Sequence, residues 1–95
     1  MREKSYVCLK IIISGKVQGV FFRDSVRAEA LRIGLTGYAR NRADGRVEII
    51  ACGDEESVYE LVRFARRGTL ISKVDKVVLS EVPTTEKYDD FDIKY

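Results

Sequence analysis

Seven glycines and a single proline cut this 95-residue chain into short stretches of differing periodicity, and that punctuation constrains its fold more than anything else. Residues 7–13 (VCLKIII) are β-branched and apolar, which predicts a strand with Val7, Leu9, Ile11 and Ile13 on one face and Cys8, Lys10 and Ile12 on the other. A glycine-bearing loop, GKVQGV, follows. Residues 22–33 carry Phe22, Val26, Ala30 and Ile33 at helical spacing, and Gly34 stops that helix. Two extended runs, 35–41 and 46–52, flank Arg42-Ala43-Asp44-Gly45, whose Asp-Gly end signals a hairpin. Asp54 is placed to cap a second helix with Glu55 and Glu56 in its first turn. Val58, Leu61, Val62 and Ala65 form its buried stripe, Arg66 and Arg67 suit its C-terminal charge, and Gly68 ends it. Residues 77–82 read as a fourth strand, and 91–95 add a short fifth.

The order β-α-β-β-α-β is the split βαβ pattern of α+β, ferredoxin-like sandwiches, in which two helices cover one face of an antiparallel sheet ordered 4-1-3-2. The length suits one domain, residues 1–95, with no linker or repeat. In that sheet the ends of the first and second strands fall at the same edge, so the GKVQGV loop and Asn41 meet in space. Cys8 opens the first strand and Cys52 closes the third, on neighbouring strands and on the face away from the helices. Their positions permit a disulfide at the end opposite Arg23, and the reduced pair stays open as well. The same outer face shows Lys10, Ile12, Glu48 and Ile50, with no aromatic platform.

Composition narrows the function classes. No apolar run approaches the roughly 20 residues that span a bilayer. The start, MREKSYVCLKIIISG, lacks the apolar length and small-residue cleavage site of a leader. A cytoplasmic monomer without membrane attachment is expected. Seventeen basic against fifteen acidic residues leave +2, too balanced for a general nucleic-acid binder. The basic residues nevertheless concentrate between Lys16 and Arg46, whereas the segment EKYDDFD is acidic. Histidine is absent and the cysteines form no CxxC pair, so His-based nucleophile activation and zinc sites that need imidazole are excluded, and catalysis falls to arginine, lysine, carboxylates, hydroxyls, amides or the backbone. One Asn, one Gln and one Met among many charges is a pattern of thermophilic proteins.

The segment Gly15-Lys16-Val17-Gln18-Gly19-Val20-Phe21-Phe22-Arg23 joins a strand to a helix N-terminus. Glycines there let backbone amides converge, the helix start adds partial positive charge, and Arg23 supplies a planar fork for two phosphate oxygens. It matches neither the Walker pattern nor GxGxxG. GKVQGVFFR resembles the acylphosphatase signature G-x-V-Q-G-V-x-F-R, and GYARNRADGRVEIIACG, residues 37–53, resembles that family's second signature at every fixed position. The resemblance covers nearly the whole chain. It implies hydrolysis of the carboxyl-phosphate anhydride of a small acylphosphate, with no metal or organic cofactor, and inorganic phosphate or sulfate as a product-like ligand. It implies that Arg23 binds the phosphate, that Asn41 holds the attacking water, and that the amides of Gln18, Gly19, Val20, Phe21 and Phe22 wrap the phosphate oxygens.

Two places depart from the family. Phe21 fills a variable position often occupied by something small, which makes the loop's outer wall bulkier. Residues 68–74, GTLISKV, replace the common G-P-x-x-A-x-V, which leaves the shape of that loop open. Gln18 is expected to tie down the turn rather than catalyse. Tyr38, Phe22 and Phe64 read as packing, and Asp24 as a first-turn helix acid. Arg40, Arg42, Arg46 and Lys16 either draw anions to the site or form an ordinary solvated hairpin surface. Two other functions share the fold class: a base-stacking nucleic-acid module, disfavoured by the missing aromatic platform and RNP pattern, and a non-catalytic acylphosphatase-like domain that binds a phosphorylated ligand.

Overall fold

A computed structural model describes residues 5–84 and 87–95. The first four residues and Glu86 of the acidic segment lie outside the described residues. The elements in chain order are β1 (Tyr6–Lys16), α1 (Phe22–Arg32), β2 (Thr36–Asn41), β3 (Val47–Asp54), α2 (Glu55–Arg67), β4 (Lys73–Glu81) and β5 (Phe91–Lys94). The strands form one sheet ordered β4-β1-β3-β2-β5. The expected 4-1-3-2 order stands, and its four strands pair antiparallel. β5 extends it beyond β2 and runs parallel, so the sheet is mixed. The direction follows from the path: β4 finishes beside the start of β1, where Glu81 faces Leu9, and β2 also starts at that end. A strand that begins there can only run with β1 and β2, and the ends of all three meet at the opposite end of the sheet.

Both helices pack on one face. Leu9, Ile11 and Ile13 of β1 and Val47, Ile49 and Ala51 of β3 share a core with Phe22, Val26 and Ala30 of α1 and Val58, Leu61, Val62 and Ala65 of α2. Ile11, Ile13, Ile49 and Leu61 have no exposed surface, and each such side chain contributes about 1.5–3 kcal/mol on burial. Among the described residues no helix is long and apolar enough to cross a membrane.

Some boundaries differ from the sequence reading. β1 runs on to Lys16, and β4 starts at Lys73 because the extension pairs Gly15 with Val74 and Lys16 with Lys73 across a bulge. Gly15 has φ +133°, and a Cβ there would run into the Lys73 carbonyl oxygen. Only glycine lets the two backbones approach so closely. α1 ends at Arg32, with Ile33 as the cap and Gly34 at φ 80° just beyond. Asp54 does hold the N-cap position of α2, but its side chain makes no capping bond. The Glu55 amide instead donates to the Ser5 carbonyl at 2.9 Å, so the incoming β1 segment takes part of the cap's work.

The outer face also departs from expectation. Cys8 and Cys52 sit directly opposite each other, Cα atoms 4.1 Å apart, and are disulfide-bonded. With Ile50 they form a second buried cluster covered by Tyr38, Val82 and Tyr88. This face therefore does carry aromatic rings: Tyr38 and Tyr88 meet edge-on, centroids 6.0 Å apart. Both are partly buried and close over the disulfide, so they form a lid and not a flat stacking platform. The 69–72 turn is compact, with Ser72 Oγ accepting from the Thr69 amide at 2.6 Å and donating to the Thr69 carbonyl at 3.2 Å.

Candidate active site

The loop between β1 and α1 is pinned from below by three apolar side chains, Val17, Val20 and Phe22, which are 1%, 8% and 1% exposed. Between them, Gly19 (φ 71°) and Phe21 (φ 58°, ψ 24°) adopt left-handed conformations. Left-handed residues produce the tight curl in which successive amides can converge on an anion. Phe21 is the N-cap of α1, so the curl opens directly onto a helix N-terminus. Gln18 shapes the loop, as expected. Its Nε2 donates to the Arg42 carbonyl at 2.8 Å and the Arg46 carbonyl at 3.0 Å, tying the loop to both sides of the β2–β3 hairpin. Those two bonds bring Asn41, the last residue of β2, beside the loop.

Gly19, Phe21, Phe22, Arg23 and Asn41 line one cavity of about 210 Å³, together with Val17 and Asp24. Arg23 and Asn41, far apart in the chain, are thus brought together. Gln18 and Val20 stand behind the wall, one tethering the loop and the other buried in the core. Cys8 and Cys52 line a different and larger concavity, about 500 Å³, on the outer face. The larger hollow carries none of the expected phosphate-binding or catalytic residues. Asn41 lines the smaller one and also a second concavity shared with Arg40, Arg42 and Tyr95, and its Oδ1 is buried with no hydrogen-bond partner among the described residues. A buried acceptor without a donor is costly, and such an atom calls for a functional explanation.

Arg23 has two partners that the sequence reading missed. Its Nη1 donates to the Lys94 carbonyl at 3.2 Å, and its Cζ lies 5.0 Å from the centre of the Tyr95 ring. One turn further along α1, Arg27 Nε donates to the Phe91 carbonyl at 2.9 Å. Residues at i and i+4 share a helix face, and this face grips β5. The repeat of arginine at that spacing was visible in the sequence. What it gripped was not, because the place of β5 in the sheet was open.

The hairpin arginines do not form a free anion funnel. Arg40 Nη2 is 3.2 Å from Glu48 Oε2, and Arg42 lies 3.3 Å from Asp44 and 3.8 Å from Glu48. Arg46 is 3.1 Å from Asp44. Glu48, only 5% exposed, also accepts from Tyr38 Oη at 2.7 Å. Burial first, and then that bond to a carboxylate, push the Tyr38 hydroxyl up to about 12. Asp44 is held below the usual carboxylate range chiefly because it accepts from the Arg46 amide, with Arg42 and Arg46 adding to the effect. These pairs neutralise most of the basic hairpin, and among the described residues Arg23 is the one cation lining the cavity.

The arrangement can hold a small dianion between loop amides and a guanidinium, with an unpaired amide oxygen alongside to accept a hydrogen bond. Comparison with known proteins identifies the family. The acylphosphatase family model matches residues 9–93. An acylphosphatase of Dehalococcoides mccartyi is 46% identical over 89 residues, covering 93% of this chain and 98% of that protein. The solved acylphosphatase of Coxiella burnetii superposes with a TM-score of 0.89 at 38% identity, covering 99% of this chain and all of the other. A full-length HypF, in a phosphate- and nucleotide-bound form, matches 99% of this chain with 12% of its own length, at 30% identity and a TM-score of 0.86. The family model's span and the extent of these likenesses place the chain in the acylphosphatase family.

Proposed function

We propose that this chain is an acylphosphatase that hydrolyses the carboxyl-phosphate bond of small acylphosphates to carboxylate and inorganic phosphate without a metal. The observation that carries the reading is the meeting on one cavity wall of Arg23 and Asn41, whose buried Oδ1 has no partner among the described residues. The amides of Gln18, Gly19, Val20, Phe21 and Phe22 and the Arg23 guanidinium hold the phosphoryl oxygens. Asn41 Oδ1 accepts a hydrogen bond from a water and aims its oxygen at phosphorus. As the water–phosphorus bond forms, the bond from phosphorus to the acyl oxygen breaks and its electron pair leaves with the carboxylate. Both water protons end on the released phosphate.

Phosphoryl transfer needs positioning and charge stabilisation more than a protein nucleophile. An amide is a negligible base at neutral pH, and a carboxylate is a good leaving group that needs no strong acid. A histidine-free site therefore suits an acylphosphate far better than a phosphate monoester. The same reading has the enzyme act as a cytoplasmic monomer of one domain, residues 1–95. The alternative, a non-catalytic domain that binds a phosphorylated ligand, draws support from the likeness to a short segment of HypF.

The test is hydrolysis of benzoyl phosphate in excess chelator, with Arg23→Ala and Asn41→Ala alongside. Each variant is expected to lose about a hundredfold or more in kcat, the scale of removing one preorganised transition-state contact. A wild type that binds phosphate but turns nothing over would establish the non-catalytic alternative.

A further inference from the structure

Phe21 is unusual in two independent ways. It is the one non-glycine residue with positive φ among the described residues, at φ 58° and ψ 24°. A bulky side chain pays a steric penalty in that region, which glycine or asparagine would reduce or avoid. The residue is also 73% exposed. A single exposed aromatic is ordinary on a protein surface. An exposed aromatic held in a strained conformation gains the fold nothing, and such outliers point to function.

The surroundings fix where the ring stands. Val20 and Phe22 on either side are buried, so the backbone cannot rotate Phe21 into the core. The Phe21 carbonyl is gripped twice by Ser25, accepting from its amide at 3.1 Å and from its hydroxyl at 3.0 Å. The residue lines the cavity that Arg23 and Asn41 share. A cavity of about 210 Å³ that takes a phosphoryl group and a water leaves the acyl group to extend past the rim. Among the described residues lining that cavity the charged side chains are Arg23, which the reading gives to phosphate, and Asp24, which repels anions. The hairpin arginines are tied to Glu48 and Asp44.

We propose that the Phe21 ring is the acyl-group contact of this site, selecting acylphosphates with apolar, above all aromatic, acyl groups over those with anionic ones. This rests on the acylphosphatase reading above and names the substrate class of that site. The ring acts by packing against the acyl group as it leaves the cavity, while the Phe21 amide belongs to the phosphate cradle.

The experiment compares kcat/KM for benzoyl, acetyl and succinyl phosphates in the wild type, Phe21→Gly and Phe21→Tyr. Glycine suits the left-handed backbone, so that variant keeps its fold, and tyrosine keeps the ring. The readout is the benzoyl-to-acetyl ratio, in which intrinsic differences in leaving-group reactivity cancel between variants. A disturbed loop lowers both rates together and leaves the ratio unchanged. Loss of a ring contact is expected to lower the ratio about two- to tenfold in Phe21→Gly, the range of an aromatic pair, with Phe21→Tyr retaining it. Succinyl phosphate is expected to be the poorest wild-type substrate. A ratio unchanged in Phe21→Gly, or a wild type that prefers succinyl phosphate, overturns the proposal. A wild type inactive on all three substrates overturns the acylphosphatase reading itself, and the proposal with it.

Discussion

Breaking the Cys8–Cys52 bond is expected to remove about 4 kcal/mol of stability and leave the activity alone. The bond joins positions 44 apart in sequence. Closing a loop of about 45 residues removes roughly 13 cal/mol/K from the denatured chain, or about 4 kcal/mol at 25 °C. Domains of this size are stable by only about 5–15 kcal/mol, so the bond supplies a large share. With an unfolding entropy of about 2.1 cal/mol/K per residue, a 95-residue chain should lose about 20 °C of Tm. The assay is guanidinium unfolding followed by circular dichroism, on the wild type with and without a dithiol reductant and on Cys8→Ala/Cys52→Ala. Comparing the two wild-type curves isolates the bond from the small hole that the alanines leave. Benzoyl phosphate turnover at 25 °C should be unaffected, because the pair lies at the opposite end of the sheet from Arg23. A loss below about 1 kcal/mol with an unchanged m-value would refute the chain-entropy reasoning. Two titratable thiols in the native, unreduced protein would refute its premise.

Gln18→Ala removes both tethers between the loop and the hairpin. It should cost about 1–2 kcal/mol of stability at about 1 kcal/mol per bond, and roughly ten- to a hundredfold in kcat/KM as the cradle drifts from Asn41. Steady-state kinetics with unchanged kcat/KM would contradict the tether's role. Tyr38, with its hydroxyl raised from 10 to about 12 in the fold, favours the folded state while protonated. Its contribution is therefore complete below pH 10 and lost between pH 10 and 12, at most about 3 kcal/mol by linkage and less once solvent screening of this partly exposed group is counted. Urea unfolding at pH 9 and 11.5 should show that loss in the wild type and a smaller one in Tyr38→Phe. Gly15→Ala combines a strained φ with a collision against the Lys73 carbonyl. It should destabilise by about 3–5 kcal/mol, measurable by thermal unfolding.

Much of this molecule was readable wherever a local pattern and a topological rule agreed. The alternation of Val7 to Ile13 and the helical spacing of Phe22, Val26 and Ala30 describe elements that the structure contains. Once the element order suggested the sheet, the meeting of Asn41 with the loop followed, because strands β1 and β2 end on the same side. The misses share a cause: each depended on a long-range partner. Asp54 looks like a cap in isolation, but the Ser5 carbonyl takes the amide beside it. The outer-face cover depends on where Val82 and Tyr88 come to rest, and no periodicity around them announces it. The engagement of the hairpin arginines was within reach. A turn centred near Asp44 sets Arg40 directly opposite Glu48, and cross-strand opposite charges pair.

The grip of Arg23 and Arg27 on β5 carries a consequence beyond catalysis. β5 is only four residues long, and it alone covers the outer side of β2. Two of its carbonyls are held by α1, one of them through the guanidinium assigned to phosphate. If β5 peeled away, β2 would present a row of unsatisfied amides and carbonyls, the template on which chains of different molecules join edge to edge. The residue that would bind substrate is therefore also a latch against self-association. A substitution there would be paid for in colloidal behaviour as well as in turnover, and an occupied site, competing with Lys94 for the same guanidinium, would draw on the latch each time it fills.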